Sequence, residues 1–293
     1  MENKNARRKI VILGHTGFLG SNLYKYLREN SYHKVYGLSS ADIDLSSRKL
    51  VIKNPGFINR DVTVIMAASA LAKKKDPLSF KKEISMFINL AGSDLLSKIG
   101  HFVFISSTAI YGRHSDSAII ELSRPMPDDF YSRAKFIGEL IFEQVCATNG
   151  VPLTIVRPGI VYGRGDVRSP LFRFIANIRL GKEIEMSGDS FTRLPFVYNE
   201  DLCRVIELIC QHSKIGDYNV VSCGIPLIEL AELVFRAYWL RTGIKFLESE
   251  TSPSLIFDTL KFKVNFPGFE FTRLEDGIKD YFDDNGDISR DQI

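Results

Sequence analysis

Ile10-Val11-Ile12-Leu13-Gly14-His15-Thr16-Gly17-Phe18-Leu19-Gly20 is the stretch that decides the fold. Ile10–Leu13 is a short apolar run without polar alternation, ended by glycine. Such a run reads as a strand buried on both faces of a parallel sheet. Phe18, Leu19, Leu23, Tyr26 and Leu27 then recur at helical spacing, so a helix is expected over Phe18–Arg28. Between the two, Gly14, Gly17 and Gly20 fall as G-x-x-G-x-x-G. Glycine lets the main chain turn tightly and approach a ligand closely, and a helix start offers N–H groups at the positive end of its dipole. Strand, glycine turn and helix in that order predict a dinucleotide-phosphate site made by Gly14, Thr16, Gly17, Phe18, Leu19 and Gly20. His15 reads as a spacer inside the turn.

The same rhythm continues downstream. Strands are expected at Val35–Leu38, Val62–Ala67, His101–Ile105 and Leu153–Val156, with helices at Ile84–Ile99 and Tyr131–Thr148, the latter stopped by Asn149-Gly150. Strands alternating with helices imply an α/β fold with a doubly wound, Rossmann-type parallel sheet. After Gly159 the pattern changes. Arg164–Arg193 is basic, loop-rich and partly helical, Asn199–Gln211 and Leu227–Arg241 read as helices, and Tyr218–Ser222 as a late strand. We therefore expect a dinucleotide-binding core over 8–160, with later strands near 195–222 returning to it, and a smaller C-terminal substrate lobe over 161–293. Asp283–Ile293 is polar and reads as a mobile tail.

Two serines, Ser39 and Ser40, stand at the end of the second strand, where a carboxylate commonly bonds the adenosine ribose. A serine pair does not repel a 2′-phosphate, which favours NADP(H) over NAD(H). No arginine directly follows to clamp that phosphate; Arg48 is the nearest.

Tyr131 and Lys135 are four residues apart and share one face of the expected helix. A phenol needs help to exchange a proton near neutral pH, and a neighbouring ammonium favours its ionised form. The Phe104–Gly112 segment places Ser107 at the C-terminal edge of the sheet, where such folds bind ligands. Its hydroxyl can bond a reacting oxygen while Tyr131 moves the proton.

The bulk numbers exclude several classes. The chain has 293 residues, 45% hydrophobic and 25% charged, as in ordinary globular proteins. A net charge of +3 suits a small anionic substrate and does not argue for nucleic acid; no clustered basic-aromatic face appears either. Cys146, Cys203, Cys210 and Cys223 form no C-x-x-C pair, and no cysteine/histidine cluster has metal-ligand spacing. They read as reduced, mostly buried thiols of a cytoplasmic protein. The longest apolar run, Val62–Ala72, is too short to span a bilayer, so neither export nor a membrane anchor is expected.

Over nearly its whole length the chain resembles the extended short-chain dehydrogenase/reductase family, also called the NAD-dependent epimerase/dehydratase family. Gly14–Gly20 is similar to its nucleotide turn, Ala67-Ala68 to its double alanine beside the cofactor, and Asn89-x-x-Gly92-Ser93 to its helix signature. Ser107…Tyr111-Gly112, Tyr131, Lys135 and Glu139 are similar to its catalytic segments. Arg157-Pro158…Tyr162-Gly163 and Phe196-Val197-Tyr198…Asp201 are similar to its later motifs. The resemblance implies Ser107, Tyr131 and Lys135 as the catalytic group, with Lys135 also bonding the nicotinamide ribose. It implies adenine contacts from Asp44 and Leu45, and further cofactor contacts from Ala67, Ala68, Ser69 and Pro158. It also implies a nucleotide-linked sugar as substrate and a homodimer built on the Tyr131 helix.

Departures from the family pattern narrow the activity. Thr108 and Ala109 stand where 4,6-dehydratases of this family carry an Asp-Glu pair, and Ala109 also replaces the cysteine of the epimerase-reductases that make GDP-fucose. Hydride transfer at one carbon remains, as a 4-ketoreductase or as a C4 epimerase with held NAD. A catalytically idle NADP-binding regulator is a third reading, opposed by the intact Ser107, Tyr131 and Lys135. The family's substrate arginine is displaced: Leu194 takes its place and Arg193 precedes it. Thr108, Ala109, Arg164, Arg168, Arg173 and Arg193 are the candidate substrate contacts.

Overall fold

The computed structural model describes residues 8–53, 55–71, 76–112, 118–187, 190–238, 242–247 and 254–284. Its elements begin with β1 (Lys9–Leu13), α1 (Phe18–Asn30), β2 (Lys34–Leu38), β3 (Val62–Met66), α2 (Pro77–Ala91), α3 (Asp94–Ser97) and β4 (His101–Ile105). They continue with α4 (Phe130–Asn149), β5 (Leu153–Pro158), β6 (Ile160–Tyr162), α5 (Pro170–Arg179), β7 (Ile184–Ser187) and β8 (Arg193–Tyr198). The last are α6 (Asn199–His212), β9 (Gly216–Val220), β10 (Cys223–Pro226), α7 (Leu227–Tyr238), β11 (Ile244–Leu247), α8 (Leu260–Asn265) and α9 (Leu274–Asp284).

The described residues form two compact units. The first draws on Met1–Gly112, Arg124–Arg157 and Cys203–Tyr218, the second on Arg113–Ser123, Pro158–Leu202 and Asn219–Ile293. The main sheet has the order β2-β1-β3-β4-β5-β9. Its first five strands pair in parallel. Every residue of β3 and β4 is buried, the polar Thr63 and His101 included, as strands covered on both faces require. The core of the first unit joins Val11, Leu13, Val64 and Phe104 to Phe87 and Leu90 of α2 and Phe142 of α4. In the second unit, β10-β8-β6 form one sheet and β11-β7 a parallel pair. Its core gathers Phe172 and Ile175 of α5, Phe196 of β8, and Leu230 and Val234 of α7.

Helix ends follow local chemistry. Asp129 caps α4 by accepting from the Ser132 amide at 2.7 Å, while the Ser132 hydroxyl accepts from the Asp129 amide at 3.1 Å. Gly150, at φ 62°, ends the same helix in the left-handed region, as the Asn149-Gly150 stop predicted. The single helix expected over Ile84–Ile99 is corrected. It starts earlier, at Pro77, because Asp76 caps it through the Ser79 amide, and it ends at Gly92. Ser93 then caps the separate turn α3 through the Leu95 amide. Arg164–Arg193, expected to be loop-rich and partly helical, contains the helix α5 and also the strand β7. Of the polar tail expected over Asp283–Ile293, residues 285–293 lie outside the described residues. No described helix is long and apolar enough to cross a membrane.

Candidate active site

The glycine turn lies where β1 leaves the sheet between β2 and β3. Parallel sheets place ligand crevices at such switches of strand order. Gly14 has φ 86°, and its amide donates to the Leu38 carbonyl of β2 at 2.8 Å. A Cβ there would stand 2.6 Å from the Ala68 main chain, so only glycine fits where the chain leaving β3 crosses the turn. At Gly20 a Cβ would collide with the Gly14 carbonyl. Gly17 is exposed and caps α1 with no side-chain bond, and the first turn of α1 carries no acid. The N-terminal amides of α1 therefore suit an anion, and the turn fits a dinucleotide pyrophosphate. Thr16 is exposed and Phe18 and Leu19 are half-buried at the helix start. His15 packs its ring over Gly37 and lies 5.3 Å from the Tyr24 ring, as a spacer would.

At the end of β2 the serine pair does not stand alone. Asp42 Oδ2 accepts from the Ser39 amide at 2.9 Å and from the Ser39 hydroxyl at 2.7 Å. These bonds, the hydroxyl's first, hold the Asp42 carboxyl below its ordinary range. A carboxylate thus occupies the neighbourhood that the sequence alone assigns to Ser39 and the exposed Ser40. Asp44 is exposed and accepts from the Ser46 amide and hydroxyl, which holds its carboxyl low as well. Leu45 is buried, and its carbonyl accepts from Asn89 Nδ2 at 3.0 Å. Asn89 therefore ties this stretch to α2.

Ser107 follows β4 by two residues and caps a 3-10 turn, Thr108–Tyr111, by accepting from the Ala109 amide at 3.1 Å. One of its two lone pairs accepts that bond, and its O–H can donate to a carbonyl oxygen. Thr108 is buried and Ala109 half-buried in the same turn. The turn packs against α4, which carries Tyr131 and Lys135 in its first turns. Lys135 is 5% exposed; its Nζ donates to the Ile105 carbonyl at 3.2 Å and lies 5.8 Å from the centre of the Tyr131 ring. Lys135 thus joins the tyrosine helix to the end of the serine strand. The same Nζ is 3.5 Å from Oε1 of Glu83, a fully buried carboxylate on α2. Ala67 donates to the Leu13 carbonyl at 3.0 Å, and Ser69 donates to Glu83 Oε2 at 3.0 Å.

Asp42 and Glu83 escaped the motif reading, yet each had a signal. Asp42 follows Ser39 at the spacing of a turn closed by side chain and main chain. Glu83 shares a helical face with Met86, Phe87 and Leu90, so its register points inward.

Beside the Thr108–Tyr111 turn, Arg157 bonds Glu139 at two points, Tyr111 Oη at 3.0 Å and Asp217 at 3.0 Å. The Arg157 and Glu139 of the family-like segments are thereby a structural clamp among β5, α4, the 3-10 turn and β9.

The remaining candidates belong to the second unit. Pro158 closes β5, and Arg164, Arg168 and Arg173 are exposed, the last on α5. Asp166 caps the same loop through the amides of Arg168 and Ser169. Arg193 is exposed and donates to the Gly224 carbonyl at 2.8 Å, across the β8–β10 pair. Asp201 is buried and accepts from the Thr272 amide at 2.7 Å and the Thr272 hydroxyl at 3.0 Å, which anchors the segment before α9. Among the described residues no group of three His, Cys, Asp or Glu could hold a metal ion.

The likeness to known proteins follows the same outline. The uncharacterized protein y4nG of Sinorhizobium fredii is 27% identical over 241 residues; the match covers 77% of this chain and 59% of that protein. The chain thus spans less than two thirds of the length of that relative. GDP-6-deoxy-D-talose 4-dehydrogenase of Aggregatibacter actinomycetemcomitans is 27% identical over 271 residues, covering 86% of this chain and 89% of that one. The crystal structure of Thermus thermophilus UDP-glucose 4-epimerase in complex with NAD shares the fold. Its TM-score is 0.78 at 19% identity, covering 96% of this chain and 100% of that one. The profile of the NAD dependent epimerase/dehydratase family matches residues 10–224, more than half of the sequence, and the chain is a member of that family.

Proposed function

We propose that the protein is a nucleotide-sugar oxidoreductase that reduces the 4-keto group of a 6-deoxyhexose nucleotide. The observation that carries this is the joint made by Lys135, whose ammonium binds the end of the Ser107 strand from the helix that bears Tyr131. The glycine turn and the first amides of α1 would hold the pyrophosphate of a nicotinamide dinucleotide, which when bound would supply the hydride for the ketone carbon. Ser107 donates a hydrogen bond to the ketone oxygen, and Tyr131 passes its proton to that oxygen as it becomes the alcohol. Lys135 stabilises the phenolate left behind and bonds the nicotinamide ribose. Thr108 and Ala109 offer no carboxylate or thiol for dehydration or ring epimerisation, and the similarity to a 4-dehydrogenase of a GDP-6-deoxyhexose supports the same carbon.

The cofactor preference turns on Asp42. Ser39 and Ser40 alone favour NADP(H), but an ionised Asp42 on the Ser39 hydroxyl repels a 2′-phosphate and suits the two ribose hydroxyls of NAD(H). We therefore assign NAD(H). Arg164, Arg168, Arg173 and Arg193 are the cations offered to the nucleotide diphosphate. Apolar side chains half exposed on α2 and α4, Ile88 at 55% and Leu140 at 50%, support a homodimer through these helices. The free thiols of Cys146, Cys203, Cys210 and Cys223 suit the cytoplasm.

The test is nicotinamide absorbance on mixing enzyme and reduced cofactor with a dTDP-, GDP- or UDP-linked 4-keto-6-deoxyhexose. Stoichiometric loss of the reduced cofactor is expected. Interconversion of nucleotide hexoses with no net loss would establish the C4 epimerase in its place.

A further inference from the structure

Glu83 is a fully buried carboxylate to which none of the steps above gives a role. Its Oε2 accepts from the Ser69 hydroxyl at 3.0 Å, from the Leu71 amide at 3.3 Å and from the Ala70 amide. This is the segment that follows Ala68, which touches Gly14 of the phosphate turn. Its Oε1 makes no hydrogen bond and faces the Lys135 ammonium at 3.5 Å. Lys135 also lies over Phe87 of α2 and Phe104 of β4, with centroid distances of 5.9 and 5.4 Å. Burying a carboxylate is costly unless it is paired and hydrogen-bonded, and here both conditions are met by the two segments that meet the cofactor and the reacting tyrosine.

We propose that Glu83 is a positioning residue for catalysis, one oxygen holding the Ser69–Leu71 turn and the other fixing the ammonium of Lys135 beside Tyr131. The proposal rests on the catalytic role of Lys135 assigned above. Glu83 sets where the ammonium sits when the cofactor is absent, and it links that position to the turn that ends beside Gly14. Without it the lysine keeps the Ile105 carbonyl and two ring faces but loses its charged partner.

Glu83→Gln separates the two halves. The amide oxygen can still accept from the turn, while the NH2 group faces the ammonium with no charge and the wrong polarity. Two readouts are taken on the full chain. The first is kcat against the dissociation constant of the nicotinamide cofactor. The second is the acetylation rate of Lys135, followed by peptide mass spectrometry against the exposed Lys98 as internal reference. We expect kcat to fall about tenfold or more with cofactor affinity within about twofold, and Lys135 to label about fivefold faster. Unchanged labelling overturns the proposal, as does faster labelling with wild-type kcat. If the wild-type protein turns over no nucleotide sugar, the proposed function fails and labelling alone decides the Glu83–Lys135 link. If the glutamine variant does not fold, Glu83→Asp carries the same comparison. It keeps the charge but draws it back by one methylene, and intermediate changes in both readouts are expected.

Discussion

The Asp42 carboxylate accepts both the amide and the hydroxyl hydrogen of Ser39, at 2.9 and 2.7 Å, and so closes the end of β2 with a negative charge. Removing that charge in Asp42→Ala is expected to raise NADP(H) affinity relative to NAD(H) by about tenfold, read as the ratio of two dissociation constants. Because hydrogen bonds from Ser39 hold the carboxyl below its ordinary range, it stays ionised as pH falls from about 8 to about 5, and over that window only the 2′-phosphate, with a second pKa of about 6, changes its charge. An unchanged ratio in the variant would leave the preference to Ser39 and Ser40.

Arg157 is 4% exposed and Glu139 1% exposed, joined Nε to Oε1 at 3.0 Å and Nη2 to Oε2 at 2.8 Å. Removing Glu139 leaves the buried guanidinium with only Asp217 and Tyr111. Glu139→Ala is expected to cost about 3–5 kcal/mol in denaturant unfolding. A loss no greater than that of an exposed substitution would show that Asp217 and Tyr111 suffice to hold the guanidinium.

His101 is 2% exposed and bonds Thr154 Oγ1 at 2.7 Å. Burial first, and the charge of Arg8 second, push its pKa down to about 4. The folded state thus resists protonation that the unfolded chain accepts below about 6.5, so stability is lost as pH falls from about 6.5 to about 4. The shift corresponds to about 3 kcal/mol. In His101→Gln, the stability difference between neutral and acid pH is expected to shrink by about that amount in urea titrations.

If α2 and α4 form the dimer face, a charge at Ile88 or Leu140 must be desolvated on association. Ile88→Lys and Leu140→Glu are each expected to give monomers in light scattering at concentrations where the wild type is dimeric. A monomeric wild-type protein removes this assignment.

What the sequence made legible was local. Gly14–Gly20 and the Tyr131–Lys135 pair each lie within one turn of chain, where spacing alone fixes geometry. The parallel strands β1, β3 and β4 are apolar apart from Lys9, Thr63 and His101 and declare themselves. Glu83 did not, because in Lys81-Lys82-Glu83 it resembles a solvated charge until Met86, Phe87 and Leu90 fix which face of α2 is buried. The break at Gly92 hid for a similar reason. Leu95, Leu96 and Ile99 continue an apolar pattern across it, and only the cap made by Ser93 marks a second helix. The two-unit division depends on pairing between residues far apart in the chain, such as Arg193 with Pro226 and Ile184 with Ile244, which periodicity does not report.

The most direct test of the proton-transfer assignment is Tyr131→Phe, which removes one oxygen and leaves the ring and the helix. Cofactor dissociation constant and kcat on the 4-keto nucleotide sugar are measured on the same preparation. Cofactor binding is expected within about twofold of wild type, with kcat lower by about a hundredfold or more. Turnover at the wild-type rate would mean that another group delivers the proton, and Tyr131 would lose its place in the mechanism.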